Sequence, residues 1–437
     1  MSMAWPKIIR DPVHNIIPFE DSKFDRLLLN LINCKEFQRL RRIRQLGLSE
    51  YVFPGATHTR FSHSIGALQV VKKMLQRIEK LCMIEEETRM VVLATVLLHD
   101  IGHGPFSHAF EKISGIKHEV MTQAIIRDDS TEVNAALRDV DAKLPDMIDA
   151  FLYLDADSRK SSIPIFFTHL VKSQLDADRF DYLLRDNLAT GADYGKFDLP
   201  WLIEHLCVDQ VKNRIYLDKK SLFAVEVYIY ARFHMYQSVY FHKTTRAAEV
   251  MLRLLFQRYK ELLAKEDSPA RKAAVVAGAP NTLVEAFSNP AMSLNNYLAL
   301  DDVELTHFFR LCSTSSDRVL SVLGRGLLER RLYKTIDMTE KKPLERDDFV
   351  LRARDAIREN WDPPEYAFLG DSPSDTPYEG YNPDAEEPPT VLWVENSGGK
   401  RVELSTLSKP IQALMHEYYS VRYYFPPELR EQVRGLL

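Results

Sequence analysis

Apolar residues recur at three- and four-residue spacing along most of the chain, with charged residues on the opposite side, which is the periodicity of amphipathic helices. The segments that show it lie near 24–45, 62–82, 88–101, 117–127, 165–188, 221–264, 300–311, 315–327, 345–359 and 426–437. Strand-type alternation is scarce. A hairpin is expected around Cys207 to Leu217 with its turn near Lys212-Asn213, and short strands around Leu332–Met338, Val391–Glu395 and Arg401–Leu404. The stretch from Asp362 to Pro389 is rich in Pro, Asp and Gly and reads as a long loop. No repeat of solenoid period is present. The expected fold is mainly α, with a helical core over 1–265 and a smaller mixed α+β region over 266–437.

Composition narrows the function classes. A chain of 437 residues, 45% hydrophobic and 27% charged, has ordinary globular composition and enough length for a large buried core. A net charge of −5 argues against a broad footprint for long nucleic acid, so that partner is possible but not indicated. Any phosphate chemistry must be concentrated in a local cationic cleft. Cys34, Cys82, Cys207 and Cys312 are far apart and form no Cys-x-x-Cys pair, so they read as reduced thiols of a cytoplasmic protein. The start has no apolar leader-type run, and the run Val91 to Leu98 is too short to span a bilayer, so no membrane association is expected.

The chemistry begins at the end of one apolar helix. From Glu87 to Ile101 the pattern is hydrophobic on almost every side, the mark of a helix through the middle of a core, and it ends in His99-Asp100. A carboxylate there is costly unless paired or bound to a metal. Adjacent helix positions differ by about 100° in azimuth, so both residues can share one ion only if distant segments close its shell. His63 and Asp178 are the candidates. Taken singly, His63 reads more readily as a satisfied core histidine and Asp178 as a solvated helix residue. Together the four offer a mixed nitrogen and oxygen shell suited to one divalent Fe, Mn, Zn or Co.

A run of histidines changes that weighting. His99, His103, His108 and His118 fall in one short stretch interleaved with Gly102, Gly104 and Pro105, residues that end the helix and turn the backbone tightly. His103 is thereby carried off the metal-bearing pair but kept near it. Glu111 beside His118 would favour the protonated imidazole and make a general acid; taken alone, Glu111 reads equally well as a cap or a surface salt bridge. Asp178, Tyr182 and Asp186 are spaced by four on one helix face, so one residue can bind metal while the next two reach a substrate. Arg60, Arg179 and Arg185 flank this group as cations for a polyphosphate. The run Arg39, Arg41, Arg42, Arg44 reads either as a solvated helix face or as a second anion site.

As a set, Arg60-Phe-Ser-His63-Ser, His99-Asp-Ile-Gly-His-Gly-Pro-Phe-Ser-His108 and Asp178-Arg-Phe-Asp-Tyr182 resemble the HD-domain superfamily, and specifically its deoxynucleoside triphosphate triphosphohydrolases. The similarity extends over most of residues 7 to 265. It includes Phe37-Gln-Arg-Leu-Arg41, Tyr51-Val-Phe-Pro-Gly55 and Tyr240-Phe-His-Lys243. The resemblance implies that His63, His99, Asp100 and Asp178 hold the metal and that His103, Glu111 and His118 form the catalytic group. It implies phosphate contacts for His108, Arg60, Arg179 and Arg232, a sugar 3′-hydroxyl contact for Gln45 and Asp186, and enclosure of sugar and base by Tyr182 and Tyr240. Tyr236 stands where the animal enzyme has histidine. The implied reaction turns a dNTP and water into deoxynucleoside and inorganic triphosphate, with Mg on the substrate phosphates. The implied assembly is a homo-oligomer, tetramer or dimer, with a nucleotide activator.

Lys7, Gln38 and Arg41 agree with that enzyme's guanine-reading regulatory site, whereas Asn33 replaces its aspartate and Trp201, Asp218 and Ala224 replace other contacts. Glu111 also replaces an aspartate. Two other readings keep part of the constellation. One is an HD hydrolase of another nucleotide, such as a monophosphate, a cyclic dinucleotide or an alarmone. The other is a non-catalytic nucleotide-sensing or single-strand-binding scaffold.

Overall fold

The helix Glu86–Leu98 passes through the centre of the molecule, with every residue from Met90 to Leu98 buried. Its apolar surface is continuous around the axis, so it needs partners on several sides. It finds them in Arg60–Glu79, Leu144–Leu152 and Lys23–Asn33, while Arg60–Glu79 packs in turn on Ala177–Thr190. The computed structural model describes residues 5–153, 163–289, 292–378 and 391–437 and is mainly α. Among the described residues no helix is long and apolar enough to cross a membrane.

Three of the expected long helices are broken, each for a local reason. The segment 24–45 divides at Cys34, whose extended backbone ends Lys23–Asn33. The segment 165–188 becomes the short turn Ile165–Leu170 and the helix Ala177–Thr190, because Asp176 is extended and caps the second helix by accepting the Arg179 N–H. The segment 221–264 separates into Leu222–Met235 and Lys243–Ala264 around a widened π turn at Tyr236–Tyr240. That widening turns Tyr236 and Tyr240 toward one cavity, where both line the wall.

The expected hairpin is present as Leu206–Asp209 and Arg214–Leu217, with Asn213 at φ 49° in its turn. A second hairpin, Lys7–Asp11 with Asn15–Phe19, has no counterpart in the sequence reading. The expected loop after Asp362 is shorter: Leu369–Asp371 pairs with Arg422–Phe425, and Ser374–Asp375 with Tyr418–Tyr419. Its last part, 379–389, lies outside the described residues.

Two hydrophobic cores interleave along the chain. The first gathers the helices before Tyr240 and, from far downstream, Tyr378, Leu392, Val394, Leu404 and Ile411. Val394 enters it because Trp393–Glu395 joins the hairpin strand Arg214–Leu217 in parallel. The second core is built on Lys243–Ala264 and also takes in Phe106, Phe110 and Ile116. The histidine-rich segment therefore lies where the two cores meet.

Candidate metal centre and active-site cavity

His63 sits in the first turn of Arg60–Glu79, His99 ends Glu86–Leu98, and Asp178 sits in the first turn of Ala177–Thr190. Three helix ends thus bring the three side chains together. His63 Nε2 is 3.4 Å from His99 Nε2 and 2.9 Å from Asp178 Oδ1, and His99 Nε2 is 3.5 Å from that same oxygen. These three form the candidate metal group, and Asp100 lies beside it, 3.5 Å from His99 Nε2 and 3.9 Å from His63 Nε2.

The outer nitrogens define what this point requires. His63 Nδ1 faces the Asp181 carboxylate at 2.8 Å and His99 Nδ1 faces the Val96 carbonyl at 2.7 Å, so each Nδ1 carries the hydrogen. Both Nε2 lone pairs then converge on carboxylate oxygens in the interior, an arrangement that needs a cation. Donors bound at about 2.1 Å lie roughly 3–3.5 Å apart, so the spacing fits one divalent metal. Burial alone would weaken the proton affinity of His63, yet Asp178 and Asp181 push its pKa up to about 10. That field attracts a divalent cation in the same way.

Asp181 anchors this arrangement and was not singled out from sequence. It is fully buried and bonds His63 Nδ1, His14 Nε2 at 2.7 Å, and both Nε and Nη2 of Arg185 at 2.8 and 2.9 Å. Asp178 and Asp181, three apart on one helix, therefore hold opposite nitrogens of one imidazole, a spacing that was visible in Asp178-Arg-Phe-Asp-Tyr182. Arg185, expected near the phosphates, is instead buried against Asp181 and Asp11. Gly66 makes room for this cluster, since a Cβ there would strike Asp181 and Arg185. Asp181→Asn leaves the ligands in place but loosens their orientation, so metal affinity is expected to fall about 10–100-fold with the fold retained. Competitive chelator titration measures it, and wild-type affinity would remove Asp181 from this role.

Beyond His99 the chain turns through Gly102, where a Cβ would collide with the backbone of the helix His118–Arg127. This close approach stacks His103 on His118, ring centroids 3.9 Å apart, and sets His118 Nδ1 2.9 Å from Glu111 Oε2. Burial, with the charge of Arg60, holds His103 well below the usual imidazole range, and it lies 3.3 Å from Asp100. Although burial opposes it, Arg60 keeps Asp100 ionised by a direct contact. Arg60 also donates to Ser107 Oγ at 2.8 Å, and Phe106 and Ser107 both adopt positive φ. The side chain of His108 lies outside the described residues.

A cavity of about 390 Å³ adjoins this group, lined among others by Gln45, Arg60, Tyr182, Asp186, Tyr236 and Tyr240. Asp186 Oδ2 accepts from the Tyr240 hydroxyl and Oδ1 faces His58 Nε2, both at 2.7 Å. His58, two residues before Arg60, thus braces Asp186, a contact that the sequence reading passed over. Gln45 Oε1 is buried with no hydrogen-bond partner among the described residues. Arg179 stays beside Asp176 at 3.7 Å, and Arg232 bonds Asp375 and the carbonyls of Thr376 and Pro377. Of the expected regulatory residues, Arg41 Nε donates to Gln38 Oε1 at 2.8 Å, while Lys7 opens the N-terminal hairpin.

Residues 60–152 match the HD domain and 197–277 the HD associated region. Fold and site thus define an HD-domain protein of the phosphohydrolase superfamily, a domain that binds a divalent metal. The chain belongs to this family. It is 34% identical to YwfO of Bacillus subtilis over all of its own length and 99% of the relative's. A phosphohydrolase structure from Bacteroides thetaiotaomicron superposes with a TM-score of 0.77 at 27% identity, covering 96% of this chain and 100% of that one. The deoxynucleoside triphosphate triphosphohydrolase SAMHD1 homolog of Dictyostelium discoideum is 30% identical over 60% of this chain and 51% of that protein.

Proposed function

We propose that the protein hydrolyses deoxynucleoside triphosphates to deoxynucleoside and inorganic triphosphate. The observation that carries this reading is Gln45 Oε1, a buried acceptor without a partner among the described residues, in the same cavity as Asp186 and three tyrosines. A buried unsatisfied acceptor is costly, and a sugar hydroxyl is a fitting donor for it. Arg60 lies on the same wall, toward the metal ligands, where phosphates would follow the sugar. The similarity to the Dictyostelium triphosphohydrolase supports the same substrate class.

His63, His99, Asp100 and Asp178 would hold one Fe, Mn, Zn or Co ion, which supplies an acidified water and neutralises charge on phosphorus. Water attacks the α-phosphorus, the bond to the 5′-oxygen breaks, and His118, oriented by Glu111, delivers the proton to that oxygen. Arg60, Arg179 and His108 neutralise the phosphates, with Mg accompanying the substrate, and Arg232 joins them on release from Asp375. Tyr182, Tyr236 and Tyr240 enclose sugar and base. Homo-oligomerisation and activation by a nucleotide at Lys7, Gln38 and Arg41 belong to the same reading. The chain acts, in this reading, as a cytoplasmic enzyme.

Each dNTP is assayed alone and in pairs with Mn, Mg, Fe and Co, and the products are separated by ion exchange. Inorganic triphosphate is expected, and in oxygen-18 water it carries the label. Label found only in the nucleoside would refute attack at phosphorus. Orthophosphate, pyrophosphate or a linear dinucleotide as the product would assign the site to another nucleotide.

A further inference from the structure

Cys34 stands at the break between Lys23–Asn33 and Lys35–Gln38, ending one helix and opening the next. Two carboxyl groups meet its thiol there. One belongs to Glu36, two residues on, and the other to Glu132, the first residue of the helix Glu132–Arg138 and remote in sequence. Cys34 Sγ and one oxygen from each glutamate all lie within 4.8 Å of one another. Cys34 is 5% exposed and Glu36 1%, whereas Glu132 reaches solvent. The group is therefore buried on two of its three sides.

Helix capping accounts for only part of this arrangement. The Lys35 N–H donates to Glu132 Oε2 at 2.8 Å, and the Glu132 N–H donates to Glu36 Oε1 at 3.1 Å, so each glutamate uses one oxygen to start the other's helix. Glu36 Oε2 is left over. It is buried and has no hydrogen-bond partner among the described residues. Lys35 faces the other oxygen of Glu36, at 3.9 Å, and its side chain is 60% exposed. A carboxyl oxygen buried in this way is costly, and a cation beside it removes the cost. The thiol feels the same surroundings: burial, with Glu36 and Glu132, pushes Cys34 up to about 12. The field at this point repels a bare thiolate and attracts a cation.

We propose that Cys34, Glu36 and Glu132 form a second metal site, chemically distinct from the HD centre, that takes zinc. One sulfur with two carboxylate oxygens suits zinc better than magnesium or calcium, which take oxygen alone, and better than copper(I), which takes softer donors. Water completes a four-coordinate shell from the open side at Glu132. Donors on one tetrahedral zinc lie roughly 3.5 Å apart, a spacing that rotation of the exposed Glu132 side chain reaches. As the metal–sulfur bond forms, the thiol proton, now donated to the Asn30 carbonyl at 3.3 Å, leaves to solvent. The ion would tie Lys35–Gln38 to Glu132–Arg138. Arg39 follows at once, and it donates to the carbonyls of Leu300 and His103, both at 2.9 Å, so the tie secures the segment that braces the histidine loop.

The test is a titration of the metal-free, full-length protein with cobalt(II), read by absorption and by metal analysis. His63, His99 and Asp178 offer no sulfur, so a thiolate-to-cobalt charge-transfer band reports the second site alone. Wild type is expected to take up a cobalt ion beyond that of the HD centre and to show the band. Cys34→Ser is expected to lose that ion and the band, with basal turnover unchanged. No band in wild type, or an equal band in Cys34→Ser, would overturn the proposal. Because Cys34 is buried and its replacement can disturb folding, the surface variant Glu132→Gln is run beside it; its band is expected to need at least about tenfold more cobalt at an unaltered melting temperature. Superimposable titrations of Glu132→Gln and wild type count equally against the site. Zinc is expected to displace the band at equimolar amounts, and displacement by magnesium or calcium would refute the choice of metal. The readout is bound metal and its absorption, so the outcome is independent of which nucleotide the HD centre hydrolyses.

Discussion

Asp178→Ala is expected to lose bound metal and to lower turnover by about 10³-fold or more, because one carboxylate oxygen opposes both imidazole Nε2 atoms. Without it, two lone pairs 3.4 Å apart face each other with only Asp100 to help hold an ion, and Asp100 is already committed to Arg60. Metal analysis of the purified variant and steady-state rates at saturating metal measure the two losses together. A variant with full metal content and full turnover would remove Asp178 from the centre. Loss of turnover at full occupancy would instead make it a substrate contact. The fold is expected to survive, since the cap of the same helix is made by Asp176, not Asp178.

The second large effect is expected at His118. Replacement by glutamine keeps a side chain able to bond Glu111 but removes the transferable proton, so the maximal rate is expected to fall about 10²–10⁴-fold. Metal content and substrate affinity stay near wild type, which separates this variant from Asp178→Ala. Glu111→Gln, which retains the imidazole and loses only the carboxylate, is expected to cost less. Rates for His118→Gln within threefold of wild type would transfer the proton-donor role to another group.

The meeting of His63, His99 and Asp178 in a candidate metal group was legible in the sequence for a definite reason. A helix as apolar as Met90 to Leu98 has no inexpensive way to end in His-Asp, so the burial that makes the pattern also demands the ion. Gly102 was legible as a turn residue, but the need for it as a close approach to His118–Arg127 was not. The breaks at Asp176 and Tyr236 were missed because apolar spacing continues across them. Arg185 was misplaced because the three arginines flanking the site, Arg60, Arg179 and Arg185, look alike until their partners are known.

Helix periodicity depends on residues three and four apart, so the mainly α architecture and the identity of the apolar faces could be read from the chain alone. Chemical type at the end of a buried segment added the histidines and aspartates. The brace on His63 could not be read this way, since it joins His14 to Asp181 across 167 residues. Nor could the sorting of the arginines, in which Arg39 bonds a carbonyl 261 positions away while Arg41 and Arg42 meet Arg310 across a cleft. Contacts of that separation are selected by how helices pack, and packing is a property of the assembled core rather than of any one segment.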